Sequence, residues 1–194
     1  MASGGVVSFL GRSLARDAAE LAYGRVVEQA RRSVFFTDYG VPDTLDGRFE
    51  LICLHAFLYL HRLKVERPLA NRLCQAFFDR MFADFDRALR EMGTGDLSVG
   101  KQVKRMARAF LGRICAYESG LSGDDAQLGA VLARNLYGTI SGPASFAALI
   151  TPYVRSAVRE LQRQPMAELL AGSIIFGTPA DVHLPSNISP AAEP

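Results

Sequence analysis

An all-α fold, built from six to seven helices in a single compact domain, is what this sequence of 194 residues predicts. Apolar residues recur at i, i+3 and i+4 almost throughout, and no segment alternates apolar and polar residues as a half-buried strand does. Apolar residues make up 49% of the chain and charged residues 22%, which is typical of soluble globular proteins. A chain of this length can bury one hydrophobic core of ordinary size.

The apolar period and the residues that interrupt it predict the individual helices. The second helix follows "GVPDTLDG", where Asp43, Thr44 and Asp46 are N-cap candidates. Gly93 is the expected C-terminal stop of the third helix, and Asp96 or Ser98 the expected cap of the fourth. The expected helices cover residues 8–32, 47–65, 68–92, 98–119, 124–137, 145–163 and 166–175.

The two ends of the chain have different compositions. Residues 1–176 are predicted to form the helical domain, whereas 177–194, "GTPADVHLPSNISPAAEP", has closely spaced prolines and no apolar face, so we expect a flexible tail. The start, "MASGGVVSFLGRSLAR", has two arginines and no acid, which is compatible with a targeting segment. The apolar period continues through Asp17 and Glu20, however, and favours the first turns of a helix. No segment reaches the roughly 18–20 apolar residues of a membrane span.

The net charge and the cysteine content indicate which partners and which redox compartment to expect. A formal net charge of +2 does not require a nucleic acid, and DNA is not expected as a partner. Cys53, Cys74 and Cys115 have no paired spacing, which indicates free thiols in a reducing compartment. Cys53 and Cys115 fall on apolar faces, so both are expected to be buried and unreactive.

The segment "GTGDLSVGK" between the third and fourth helices resembles a phosphate-binding loop only in part. The spacing of Gly95, Gly100 and Lys101 fits G-x-x-x-x-G-K-[ST], but Gln102 stands where the motif needs Ser or Thr. A P-loop also follows a strand, and this segment follows a predicted helix. We therefore interpret it as a turn between two packed helices.

Acidic residues on the third helix suggest a metal site as an alternative. Asp79 and Asp86 are seven residues apart and share a helix face, as aspartates do in magnesium-dependent prenyl-transferring enzymes. No second acidic helix faces them, and interleaved arginines favour an ion-paired surface. His55 and His61 do not share a face, so no zinc site is expected, and no spacing suggests a catalytic triad. The sequence thus predicts no metal, no cofactor and no catalytic residue.

The fourth helix carries a cationic stripe without an acidic residue. Its members, at i, i+3, i+4 and i+7, can bind the phosphates of RNA or anionic lipid headgroups. Alternatively, they pair with the acids of the third helix across the tight turn, and the sequence leaves both interpretations open. RNA readers usually add exposed aromatic residues, and the aromatic residues here fall on the apolar side. The stripe consists of Lys101, Lys104, Arg105 and Arg108.

Three segments resemble the ubiquinol–cytochrome c chaperone family of respiratory complex III assembly factors. They are "YGRVVEQAR", "GVPDTLDGRFELICLHAFLYLHRL" and "LCQAFFDRMFADFDRALREMGTGDLSVGKQVKRMARAFLGRICAY", and the resemblance is strong over 23–121. It implies an all-helical chaperone that catalyses no reaction. Mitochondrial members bind newly made cytochrome b, act with a small helical partner protein, and associate with the mitochondrial ribosome near the tunnel exit.

The resemblance also implies candidate contact residues and a location. The short N-terminal extension suggests a bacterial member, cytoplasmic and peripheral to the inner face of the inner membrane. For a eukaryotic member, the implied location is the mitochondrial matrix and inner membrane. Residues of the matching motifs could face the client, which would be cytochrome b: Asp43, Asp46, Arg48, Asp96, Lys101, Lys104, Arg105 and Arg108.

A client with transmembrane helices requires an exposed apolar surface on its chaperone. Phe35, Phe36, the Phe- and Met-rich third helix and "LLAGSIIFG" are candidates, with core packing as the alternative. A rival function is an RNA- or ribosome-binding module that uses the stripe from Lys101 to Arg108. A third hypothesis is an enzyme of prenyl-lipid metabolism that uses Asp79 and Asp86.

Overall fold

The computed structural model describes residues 3–179, and side chains from residue 13 onward. Within this part of the chain there are helices and connecting turns and no strand, so the predicted all-α class is confirmed. A 3-10 turn, Lys64–Glu66, extends the helix Leu45–Leu63. The helices are α1 (Ser3–Ala30), α2 (Val34–Thr37), α3 (Leu45–Leu63), α4 (Asn71–Glu91), α5 (Asp96–Ser122), α6 (Asp125–Leu136), α7 (Pro143–Arg163) and α8 (Met166–Leu170).

Each of the seven helices predicted from the sequence has a counterpart, with ends displaced by a few residues. The four-residue helix α2 was missed because one turn is too short to show a helical period. The helix predicted over 166–175 ends at Leu170, since Gly172 has a φ of +86° and the chain continues without regular structure. Most of the predicted tail, residues 180–194, lies outside the described residues.

Helix α3 lies at the centre of the fold. Every residue from Cys53 to Tyr59 is buried, so the middle of this helix is enclosed on all sides. Helices α1, α5, α6 and α7 pack directly on it. Around it, α1 packs on α4, α4 on α5, α5 on α6, and α6 on α7. The continuous apolar run "FELICLHAFLYL" in the sequence is the signature of this central position.

A buried histidine lies in the middle of α3. The Nδ1 atom of His55 donates to the Leu51 carbonyl at 2.8 Å, and Nε2 accepts from the Tyr153 hydroxyl at 2.7 Å. Gln29 in turn donates to the Tyr153 hydroxyl at 2.9 Å. Burial lowers the pKa of His55 to about 4, so the ring is neutral at physiological pH. This network joins α1, α3 and α7 in the core.

Local capping determines where α3 and α5 begin. The Thr44 hydroxyl accepts a hydrogen bond from the Gly47 amide at 3.2 Å, so Thr44 is the N-cap among the three predicted candidates. Gly93 has a φ of +84° after the end of α4, which confirms the predicted stop. The expected side-chain cap of α5 by Asp96 or Ser98 is wrong, because Gly95 occupies that position and no side chain caps it.

None of the described helices combines the length and the apolar composition needed to cross a lipid bilayer.

Candidate partner-binding groove

A groove of about 530 Å³ lies between the start of α3, the second half of α4, the middle of α5 and the end of α6. Its apolar lining continues to the rim, where Leu45 is 61% exposed and Met92 is 52% exposed. Exposed apolar side chains beside a concave surface are typical of sites that bind a partner. The apolar lining includes Phe49, Ile52, Phe85, Leu89 and Met106.

Arginines outnumber acids around the groove. Five arginines line it, compared with the three acids Asp46, Glu50 and Asp84. Three of the arginines form no ion pair with any residue in the described part of the chain, so their guanidinium groups remain available to a partner. These three are Arg31, Arg105 and Arg134, and the two paired ones are Arg48 and Arg113.

An ion pair between α3 and α5 lies at the bottom of the groove. Arg113 donates from two nitrogens to both carboxylate oxygens of Glu50. The Glu50 side chain is 8% exposed, and burial raises its pKa against the opposing effect of Arg113. The guanidinium also lies over the Phe49 ring, 5.5 Å from the centroid. The pair fixes the separation of the two helices that form the groove walls.

Three of the eight predicted contact residues line the groove, namely Asp46, Arg48 and Arg105. Asp43 lies beside them and holds Arg48, with Nε 2.6 Å from the carboxylate. This hydrogen bond lowers the pKa of the Asp43 carboxyl. Asp96 lies farther along the rim, at the turn between α4 and α5, and Arg90 donates to it at 2.5 Å.

Three further predicted residues, Lys101, Lys104 and Arg108, lie outside the groove on the adjoining exposed side of α5. Of the two interpretations that the sequence left open, the pairing of these cations with acids of α4 across the turn is wrong. The α4 acids nearest the turn are held by arginines of their own helix: Arg90 bonds Asp86 at 2.6 Å, and Arg87 bonds Asp84. The stripe of α5 thus has no ion-pair partner among the described residues.

The structure also bears on the metal-site alternative and on the burial of the cysteines. The described residues contain no group of three or more His, Cys, Asp or Glu side chains that could hold a metal ion. Cys53 is buried as expected, whereas Cys115 is exposed, so the expectation for Cys115 is wrong. The reason is its position four residues after Leu111 on the outer side of α5, where the apolar sequence pattern does not coincide with the packed face.

Most apolar residues proposed as an exposed client surface are part of the core. Phe35 is fully buried, as are Phe77 and Met81 of α4. Near the described C-terminal end, Phe176 is 4% exposed and only Ile175 points outward, at 60%. The groove uses other residues, since Leu45 and Met92 flank turns that the sequence pattern assigns to helix ends.

The Glu50–Arg113 pair was not found from the sequence. The signal for it was Glu50, the acid within the apolar run "FELICLHAFLYL". A carboxylate buried in such a run needs a cation nearby. The acid-free segment of α5 offered several basic residues, and periodicity alone does not select Arg113 among them.

An all-α domain with an open apolar groove surrounded by arginines defines a protein of the partner-binding class. The family model described as ubiquinol-cytochrome C chaperone matches residues 37–176, and the chain belongs to this family. The resemblance noted in the sequence is thereby confirmed.

Relatives and a solved structure agree with this assignment. The chain is 28% identical over 160 residues to ubiquinol-cytochrome-c reductase complex assembly factor 1 of Xenopus laevis, covering 82% of this chain and 80% of the relative. It is 28% identical over 153 residues to the Homo sapiens protein of that name, covering 79% of this chain but only 51% of the human protein. The crystal structure of the Cbp3 homolog from Brucella abortus superposes with a TM-score of 0.76 at 34% identity, covering 89% of this chain and 97% of that one.

Proposed function

We propose that the protein is a non-catalytic assembly factor of respiratory complex III that binds cytochrome b before the complex is complete. Membership of the ubiquinol–cytochrome c chaperone family and the names of the relatives support the complex. The observation that carries client binding is the groove, whose apolar lining meets a rim with three unpaired arginines. The client identity follows from the family resemblance.

The groove suits a short part of a membrane protein. A volume of about 530 Å³ holds a few side chains, so we expect one or two turns of a helix or a loop end to enter it. Apolar anchors would pack on Phe49, Phe85 and Met106, as anchors do in helix-in-groove complexes. Acidic or polar groups at the end of the client segment would meet Arg31, Arg105 or Arg134.

We infer that the protein holds its client and carries out no reaction. Holding requires complementary shape and charge, whereas catalysis requires reactive groups that reach a substrate. His55, a neutral imidazole that could otherwise act as a base, is wholly buried and does not line the groove. In this proposal the arginines at the rim bind the client and have no catalytic role.

We extend the proposal to location and partners. Because the proposed client is a membrane protein, the chaperone would work beside the membrane, at the inner face of the bacterial inner membrane or its mitochondrial counterpart. The family resemblance also implies a small helical partner protein and contact with the ribosome. Like the client, both are part of the proposal.

Purification from the host tests the proposal. The tagged protein would be recovered from membranes in mild detergent, and mass spectrometry would identify what accompanies it. Enrichment of cytochrome b without the other mature subunits of complex III is the expected result. Ribosomes or RNA alone would favour the RNA-binding alternative, and recovery of neither would overturn the proposed role.

A further inference from the structure

One side of α5 presents cations between exposed leucines. Leu97, Lys101, Lys104, Arg108 and Leu111 follow at i, i+4, i+7, i+11 and i+14, which places them along one side of the helix. They form a line about 21 Å long at 1.5 Å per residue. We call this line the outer face of α5. Its residues are exposed, and its side of the helix is opposite the buried Val99, Phe110 and Tyr117.

The outer face contributes little to the packing or the charge balance of the described fold. Leu97 is 101% exposed and Leu111 is 53% exposed, so neither side chain is buried by the domain. The three cations between them lack an ion-pair partner in the described part of the chain, whereas the neighbouring acids of α4 are already paired. A solvated helix face has no need of exposed leucines at both ends of a cationic stripe.

We propose that the outer face of α5 docks on the surface of an anionic lipid bilayer. Lys101, Lys104 and Arg108 bind lipid phosphates, while Leu97 and Leu111 enter the headgroup region at the two ends of the line. Each cation near an anionic membrane strengthens binding about fivefold, and stable attachment needs a second, apolar contribution. The two leucines supply that contribution.

The proposal adds a lipid-binding surface to the membrane location given under the proposed function. It rests on that function only for the location, because the lipid contact does not involve the client. Arg105 lies between the outer face and the groove-lining side of α5, which carries Gln102, Met106 and Ala109. A protein docked by the outer face therefore has its groove beside the bilayer, where a membrane-protein client is accessible.

A lipid surface explains the outer face better than RNA does. RNA phosphates would engage the same cations but leave both leucines without a role. Single strands also stack on exposed aromatic residues, and the aromatic residues Phe110 and Tyr117 of α5 are fully buried. The leucines are thus the feature that distinguishes the two ligands, and the test uses them.

Vesicle sedimentation with the purified full chain tests the proposal. The wild type should bind phosphatidylcholine vesicles only when they also contain phosphatidylglycerol, and rising salt should weaken the binding. The variant K101Q/K104Q/R108Q should bind about 100-fold more weakly, at about fivefold per cation. The matched control R16Q/R72Q/R159Q removes the same number of exposed cations, three, elsewhere on the surface and should bind nearly as the wild type does.

A second pair of variants tests the apolar contribution. The variant L97S/L111S should bind more weakly at every salt concentration, with its salt dependence unchanged. The chain has no tryptophan, so Leu97→Trp provides a single fluorescent reporter. Its emission should shift to shorter wavelength with phosphatidylglycerol vesicles and stay unchanged with phosphatidylcholine alone. The altered side chains are exposed, and equal melting temperatures would confirm folding.

Several outcomes would overturn the proposal: no binding to vesicles that contain phosphatidylglycerol, equal losses in the two triple variants, or wild-type binding by L97S/L111S. Binding to a single-stranded RNA without binding to vesicles would assign the cations to RNA. The assay contains no client, so its failure would leave cytochrome b binding untouched. Conversely, vesicle binding without recovery of cytochrome b would leave the lipid surface established and overturn the client.

Discussion

Arg113 of α5 holds both carboxylate oxygens of Glu50 of α3 at the bottom of the groove. The two residues are 63 positions apart in the sequence, and the contact joins the central helix to the helix that carries the cationic stripe. Since the pair is largely buried, neither charge can be removed without leaving the other in a poorly solvated site. The geometry of the groove therefore depends on this contact.

We expect Arg113→Met to lower the free energy of unfolding by about 3 kcal/mol, because it leaves the buried Glu50 carboxylate unpaired. The double variant Glu50→Leu with Arg113→Met should recover most of this loss, since it removes both charges. Urea unfolding of the single and double variants measures the difference. A loss below about 1 kcal/mol for Arg113→Met would show that the pair is dispensable.

We expect acid to destabilise the protein through His55. Its pKa is about 4 in the folded state and 6.5 for a free side chain, so the unfolded state takes up a proton first as the pH falls. The free energy of unfolding should therefore decrease between pH 6.5 and 4, by about 3 kcal/mol in total from this residue. Above pH 6.5 the residue has no effect on pH dependence.

The variant His55→Gln isolates this contribution, because carboxylates also titrate near the lower end of the range. It should be less stable than the wild type at pH 7, where the Leu51 and Tyr153 hydrogen bonds are altered, but less sensitive to acid. Unfolding free energies measured at several pH values give the two slopes. Parallel slopes would mean that His55 is not the acid-sensitive group.

Much of the fold was predictable because its signals are local. The apolar run that places α3 at the centre and the glycine that ends α4 can both be read within a few residues. The groove was only partly predictable: Asp46, Arg48 and Arg105 were identified, but through motifs and not through geometry. The Glu50–Arg113 contact joins distant segments, and helical period does not specify such pairings.

Cys115 is a second case in which the local sequence pattern was not enough: it was predicted to be buried, and it is exposed. Its neighbours Ile114 and Ala116 are partly buried, so the local pattern placed it on an apolar face. The rotation of α5 against α3 and α4 leaves it outside, on the side that carries Arg108 and Leu111. Which side of an amphipathic helix is covered depends on its neighbours, and one sequence does not contain that information.

A close backbone contact at the start of α3 leads to a stability prediction. A Cβ atom added at Gly47 would lie 2.0 Å from the Pro42 carbonyl oxygen, so Gly47→Ala must displace the turn that carries Asp43 and Arg48. We expect a loss of about 1–3 kcal/mol, as in other overpacked sites, measured by thermal and urea unfolding. Gly100→Ala in α5 is the matched control, because nothing lies near its Cβ position. That control should stabilise the helix by about 0.5–1 kcal/mol, and equal effects at both sites would refute the contact.

The exposed apolar rim of the groove leads to a prediction about client capture. Leu45→Ser and Met92→Ser together should reduce the recovery of cytochrome b about tenfold or more, because each removes an apolar contact at the groove mouth. The control Leu14→Ser with Leu69→Ser alters two leucines that are 68% and 75% exposed and lie outside the groove. Both pairs should leave the melting temperature nearly unchanged, since none of the four side chains is buried. Quantitative mass spectrometry of the purified complexes compares them. If the two pairs reduce recovery equally, the groove is not the client site; if only the Leu45 and Met92 pair does, the client segment packs against its rim.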